Sequence, residues 1–327
     1  MAAVTERRDT RLVLEKYQVV VYLVAVTAGL VIGLTTPPTG DWLDWLDWLI
    51  WPLLAVLLYV TFTQTHLGAI GQAFGDRRFL TVMLAVNFLL VPLLVWGLTR
   101  VFVDDPVLAL GVFLVLLVPC TDWFISFSQL GRADVPRAIA ATPLLLLAQI
   151  LLLPVYLWAF TASDIRADLP IDSMVGAFVL IILLPLLAAW LTDIGERRRP
   201  TGPRWTERLA WLPVPLLAVV LLVIMVGHAP QVTGDLATLW PVAVVFLLYV
   251  LSVPWIAEMT GRLANLPVHA RRTVAFSAGS RNSFMVLPIA LALPGLLQPA
   301  VTVIILQSLI ELVGLIAYTR VIPRVIR

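Results

Sequence analysis

Apolar residues fill this chain in runs of about 20, separated by short polar or charged stretches, and within the runs they do not alternate at period two. A helix rises about 1.5 Å per residue, so about 20 residues cross the roughly 30 Å of hydrocarbon in a bilayer. Ten such runs lie at about 17–35, 48–66, 79–100, 107–130, 136–160, 172–192, 208–228, 236–258, 270–293 and 299–320. Lipid offers a peptide group no hydrogen-bond partner, so each run must satisfy its own backbone, and without strand periodicity that predicts helices. The pattern predicts an all-α polytopic membrane protein with ten transmembrane helices.

Charge orients them. Basic residues sit in the N-terminal arm (Arg7, Arg8, Arg11, Lys16) and in every second loop: Arg77/Arg78, Arg132/Arg137, "ERRRPTGPRWTER", Arg262/Arg271/Arg272, and then the tail with Arg320, Arg324 and Arg327. Of the 22 Lys and Arg, only Arg100, Arg166 and Arg281 fall elsewhere. Positive loops stay inside, so both termini of a plasma-membrane protein are expected in the cytoplasm. Residues 1–16 read as a cytoplasmic arm, with no cleavable signal sequence. Ten spans then divide into helices 1–5 (residues 17–160) and helices 6–10 with a basic tail (161–327). A group of five must insert upside down relative to its twin, which is the 5+5 inverted repeat of many secondary transporters.

Two interruptions fit that division. "PCTDWFISF" in span 4 and "GSRNSFMVLPIA" in span 9 both give a small or helix-breaking residue, polar residues and then an aromatic, with Asp122 and Phe124 falling 160 positions before Asn282 and Phe284. They predict broken helices 4 and 9 crossing near the midplane, where such carriers bind substrate.

Composition narrows the classes of function. Charged residues are 13% and hydrophobic residues 61% of the chain, against roughly 25% charged in soluble domains. One cysteine excludes an internal disulfide and a Cys-cluster metal site, and His66, His228 and His269 are too scattered to hold a metal. Neither a phosphate-binding glycine loop nor a nucleophile elbow is present. The expectation is a protein that is not an enzyme, has no cofactor and no nucleic-acid partner, and works with the lipid bilayer, a small-molecule substrate, and protons or sodium. "DWLDWLDWLIW", with Trp42, Trp45, Trp48 and Trp51, reads as an interfacial anchor.

Few polar groups remain at membrane depth: Cys120, Thr121, Asp122, Ser126 and Ser128 in span 4, Gln149 in span 5, Ser277, Ser280, Arg281, Asn282 and Ser283 in span 9, and Gln307, Ser308 and Glu311 in span 10. An ionisable residue there costs about 2.5–3.5 kcal/mol, so Asp122, Arg281 and Glu311 should line a pathway or find partners. If the breaks cross, Asp122 and Arg281 are expected to pair. Cys120, beside Pro119 and Asp122 in a broken helix, is a candidate soft ligand.

"PCTDWFISFSQLGRAD" resembles the "PCT" segment in the fourth helix of arsenite efflux permeases of the arsenical-resistance type, within the bile acid/sodium symporter superfamily, and "SRNSFMVLPIALALP" and "LQSLIELVGLIAY" are similar to that family's ninth- and tenth-helix segments. The resemblance implies export of arsenite or antimonite driven by protons, with Cys120 as the thiol that meets As(III), the transported substrate, and Glu311 as the tenth-helix glutamate. Where the family has a glutamate after the ninth-helix break this chain has Phe284, apolar residues stand around Pro143 to Leu145 in place of an Asn-Asp pair, and Asp122 replaces a small apolar residue. Asp122 is therefore a second candidate proton carrier. Thr121, Asn282 and Ser283 are candidate substrate contacts. An alternative is a sodium- or proton-coupled carrier of an organic anion, with Arg281 on the carboxylate or sulfonate and Asn282, Gln307 and Ser308 supplying cation-binding oxygens. A scaffold or sensor without transport would leave the buried charges and broken helices without a purpose.

Overall fold

The computed structural model describes residues 2–64, 74–121, 123–161, 176, 178–198, 205–234, 238–291, 293 and 299–327. In chain order the helices are α1 (Ala2–Thr35), α2 (Asp41–Gln64), α3 (Arg77–Ala85), α4 (Val91–Phe102), α5 (Pro106–Leu116), α6 (Trp123–Leu130) and α7 (Val135–Phe160). There follow α8 (Leu184–Arg197), α9 (Trp205–Leu209), α10 (Pro213–Gly234), α11 (Trp240–Leu263), α12 (Val268–Gly279), α13 (Ser283–Leu291) and α14 (Pro299–Val325). A π-helical turn at Val86–Leu90 joins α3 to α4, and another at Phe178–Leu183 leads into α8. Among the described residues six helical stretches are long and apolar enough to cross a membrane: Asp41–Gln64, Arg77–Phe102, Val135–Phe160, Val179–Arg197, Trp240–Leu263 and Pro299–Val325. The chain is a multi-pass membrane protein. The apolar runs at 107–130 and 270–293 each fold as two short helices, α5 with α6 and α12 with α13.

The helices gather into two compact units, each drawn from two separate segments of the chain: Met1–Gln64 with Val175–Leu236, and Thr65–Met174 with Ala237–Arg327. The first is held by close backbone approach. Gly29 and Gly33 of α1, four residues apart on one face, lie against α10, where a Cβ on Gly33 would stand 2.6 Å from the Val226 carbonyl oxygen. Small residues at this spacing let helices pack where lipid gives no hydrophobic drive. Across the same unit the Tyr59 and Thr192 hydroxyls meet at 3.1 Å.

The second unit is organised around its prolines. Pro92 in α4 and Pro254 in α11 have no N–H for the carbonyls four residues earlier, Phe88 and Val250. In each case a tyrosine fills the gap: Tyr156 of α7 donates to Phe88 O at 2.5 Å, and Tyr318 of α14 donates to Val250 O. The prolines are 162 positions apart, as 92 is from 254, and so are the tyrosines and the carbonyls. Polar ends close the same unit. Asp76 Oδ1 accepts from the Phe79 N–H at 3.0 Å, Asp134 Oδ1 accepts from the Arg137 N–H at 3.1 Å, and the Arg137 guanidinium lies 2.9 Å from Asp76 Oδ2. The Phe79 N–H and then Arg137 hold the Asp76 carboxyl below its ordinary pKa. Arg271 and Arg272 of α12 are buried; they donate to Arg327 O and Ile326 O, both at 3.0 Å, and Arg271 also meets Glu258 at 2.5 Å.

Tyr318→Phe should strand the Val250 carbonyl at a cost of about 1–3 kcal/mol. Pro254→Ala in that background returns an N–H to the same carbonyl and should recover most of the loss, read as melting temperature in detergent; Tyr156→Phe with Pro92→Ala should behave alike.

Candidate functional site

A break in a membrane helix leaves carbonyls at the end of one piece and N–H groups at the start of the next without partners. Here two breaks in the second unit answer each other. Between α5 and α6, and between α12 and α13, Pro119 and Arg281 stand opposite one another as an isolated antiparallel pair. The Cys120 N–H donates to Ser280 O at 3.0 Å, and the Asn282 N–H donates to Val118 O at 2.8 Å. Pro119 suits its position because the bonds fall on its neighbours and ask no N–H of it.

The same bridge has a numerical symmetry. Val118 is 162 positions before Ser280, and Cys120 is 162 before Asn282, so an exchange of halves turns each of these bonds into the other. The separation equals that of the proline and tyrosine pairs and exceeds by two the 160 read from the motifs. Cys120 and Asn282 also do the same work locally. Cys120 Sγ accepts from the Trp123 N–H at 3.3 Å at the start of α6, and Asn282 Oδ1 accepts from the Met285 N–H at 3.2 Å in the first turn of α13. Each caps the helix that follows its break.

Arg281 is buried at 2% exposure and faces oxygens. Its Nη2 donates to Asn87 Oδ1 at 2.8 Å, Ser277 O at 3.0 Å and Ala278 O at 2.5 Å, and its Nη1 donates to Leu116 O at 3.3 Å. Leu116 ends α5, and Ser277 and Ala278 lie in the last turn of α12, so one guanidinium meets the negative ends of two helices. The Tyr249 ring lies 5.7 Å from the guanidinium carbon, and its hydroxyl donates to Ala278 O.

Glu311 enters from α14, also buried. Its Oε1 accepts from Ser280 Oγ at 3.0 Å and from the Arg281 backbone N–H at 3.1 Å, and its Oε2 accepts from Gln307 Nε2 at 2.5 Å. Gln307 Oε1 in turn accepts from Ser283 Oγ at 2.7 Å. The ninth-span segment and the tenth-span carboxyl group are thereby one hydrogen-bonded network.

The structure thus brings Cys120, Arg281, Asn282, Ser283, Gln307 and Glu311 together around the paired breaks. Thr121 is buried beside Cys120, and among the described residues its hydroxyl has no hydrogen-bond partner. Ser308 stands apart from the network, donating to Ile304 O of its own helix at 3.0 Å. Asp122 and the side chain of Phe284 lie outside the described residues; the expected Asp122 contact with Arg281 therefore has no geometry here. Sequence reasoning passed over Asn87, Tyr249 and Met285. Asn87 left a faint signal, a lone amide in the apolar run ahead of Pro92. Met285 Sδ accepts from Gln149 Nε2 at 3.1 Å, a contact between two residue types that carry no motif.

Residues 51–237, more than half of the chain, match the Sodium Bile acid symporter family. The chain is also 21% identical over 326 residues to the arsenical-resistance protein Acr3 of Corynebacterium glutamicum, an alignment covering 91% of this chain and 88% of that protein. The family match includes Cys120 and its break and ends before Arg281 and Glu311.

Asn87→Leu removes a side-chain acceptor from a buried guanidinium and should cost about 1–3 kcal/mol. A melting temperature equal to wild type would mean that Arg281 does not depend on Asn87.

Proposed function

The chain belongs to the Sodium Bile acid symporter family, and from that membership we propose that it is a secondary carrier in the plasma membrane, exporting arsenite or antimonite from the cytoplasm in exchange for protons. The observation that carries the reading is the position of Cys120, the one thiol of the chain, in the backbone bridge between two broken helices with a buried carboxylate network on the far side of that bridge. As(III) is soft and a sulfur donor is its natural partner. Arsenous acid is neutral near pH 7, so it needs no counter-charge from the site, and a single thiol binds weakly enough to release it. Thr121, Asn282 and Ser283, next along the two breaks, supply hydroxyl and amide groups for its oxygens. The kind of protein named in the Corynebacterium relative agrees with this cargo.

The frame of the proposal is ten transmembrane helices as a 5+5 inverted repeat, with helices 4 and 9 broken and crossing near the midplane and both termini cytoplasmic. The recurring separation of 162 positions in backbone bridge, caps, prolines and tyrosines supports it. Protons act through Glu311, with Asp122 as a second candidate. Protonation turns one acceptor oxygen of Glu311 into a donor, so Gln307 must turn its amide or Ser280 must rotate its hydroxyl away. Ser280 also supplies the carbonyl that holds Cys120, which couples the proton to the thiol through one residue.

The family's name favours a second reading, a sodium-coupled carrier of an organic anion. It would need Arg281 for the anion, and that guanidinium already meets four oxygens.

Cys120→Ser keeps a cap at α6, since serine is a good capping residue, and loses the soft donor. It should accumulate and melt like wild type yet give an arsenite-sensitive host no protection; undiminished resistance would remove the thiol from the mechanism. Glu311→Gln keeps the shape and abolishes the proton, so proton-driven metalloid uptake into everted vesicles should fall to the level of empty vesicles. Unchanged uptake would make Glu311 a structural group.

A further inference from the structure

Two helices that end at one place gather acceptors. Leu116 O closes α5, Ser277 O and Ala278 O lie in the last turn of α12, and the Asn87 side-chain oxygen from the π-helical turn adds a fourth. All four are hard, neutral oxygens, three of them on the negative ends of helix dipoles. In inverted-repeat carriers unwound carbonyls and half-helix C-terminal ends are the groups that hold a coupling sodium ion. In this chain a side chain occupies that position. We propose that Arg281 is a tethered cation standing where a coupling Na+ would bind, so that the carrier turns over without sodium.

Three features of the guanidinium support this beyond ordinary capping. It is permanently charged and almost wholly buried, so its charge stays with the site through the cycle. It bonds Leu116 O and Ala278 O together, and these are equivalent carbonyls of the two halves, 162 positions apart, so one cation serves both breaks at once. Its own backbone N–H donates to Glu311 Oε1, so the residue that carries the fixed positive charge is also bonded to the proton-carrying carboxylate of α14. A free cation approaching these oxygens would meet a like charge at contact distance. An ion that is covalently attached cannot report a gradient, which leaves protons as the coupling ion. The inference rests on the chain being a secondary carrier and does not depend on the cargo being a metalloid.

The test follows thermal melting of the full chain purified in detergent, in NaCl, KCl and choline chloride of equal ionic strength and without any cargo. Wild type should melt at one temperature in all three; a stabilisation specific to sodium would overturn the proposal. Arg281→Ala should melt several degrees lower in choline chloride and regain at least half of that loss in NaCl or in millimolar guanidinium chloride. No recovery in either would make Arg281 a cap only. Should the alanine variant not accumulate, Arg281→Gln, which keeps a donor without the charge, is judged by the same two results. Where proton-driven arsenite uptake into everted vesicles is seen for wild type, it should be unchanged when choline replaces sodium, and a loss would overturn the proposal. The melting experiment contains no arsenite, so its failure leaves the metalloid assignment standing, and a failed resistance assay leaves this one standing.

Discussion

Backbone satisfaction at two broken helices is the constraint from which the second unit takes its form. An unpaired peptide group in hydrocarbon costs several kcal/mol, and each break creates a set of them. The bonds from Cys120 to Ser280 and from Asn282 to Val118 close the middle of the crossing. Arg281 closes the carbonyl ends, Cys120 and Asn282 close the N–H ends, and Glu311 takes up the N–H of Arg281 itself. What looks like a concentration of costly polar residues is thus the set of partners that the interrupted backbone needs, and any transport chemistry must use groups already holding the crossing together.

The same economy recurs away from the crossing. Pro92 and Pro254 each remove a donor from a long helix, and each time a tyrosine hydroxyl from another long helix restores it. A proline and its tyrosine fix the register of two helices more specifically than apolar packing can, because a hydroxyl must arrive within hydrogen-bond reach of one carbonyl. In the first unit the work is done by absence, with Gly29 and Gly33 letting α1 lie on the backbone of α10.

Helices and breaks were legible because both follow from local composition: apolar length for the one, and Pro119 or Gly279 followed by polar residues for the other. The correspondence between the two breaks was legible only approximately. Matching residue types set Asp122 against Asn282, whereas the backbone sets Cys120 against Asn282, since capping needs an acceptor at a given place and sulfur serves as well as an amide. Arg281 was visible as a buried charge, but its partners were not, because three of them are carbonyls that every residue carries. Arg271 and Arg272 read simply as topological charges, and the structure adds a second duty, holding the carbonyls of Ile326 and Arg327. The division at residue 160 describes the order of the chain; the compact units combine segments from both sides of it, because periodicity says which face of a helix is apolar and not which neighbour covers it.

The capping role of Cys120 bears on how such a protein can change over generations. A helix N-terminus accepts serine, threonine, asparagine or aspartate with little difference in stability, and the other half of this chain already uses asparagine at the equivalent place. Descendants could therefore exchange the sulfur for oxygen or nitrogen by small genetic steps without first passing through an unfolded intermediate. The most chemically distinctive atom in the protein occupies one of its most forgiving positions, so the sulfur can be lost or regained while the fold around it stays put.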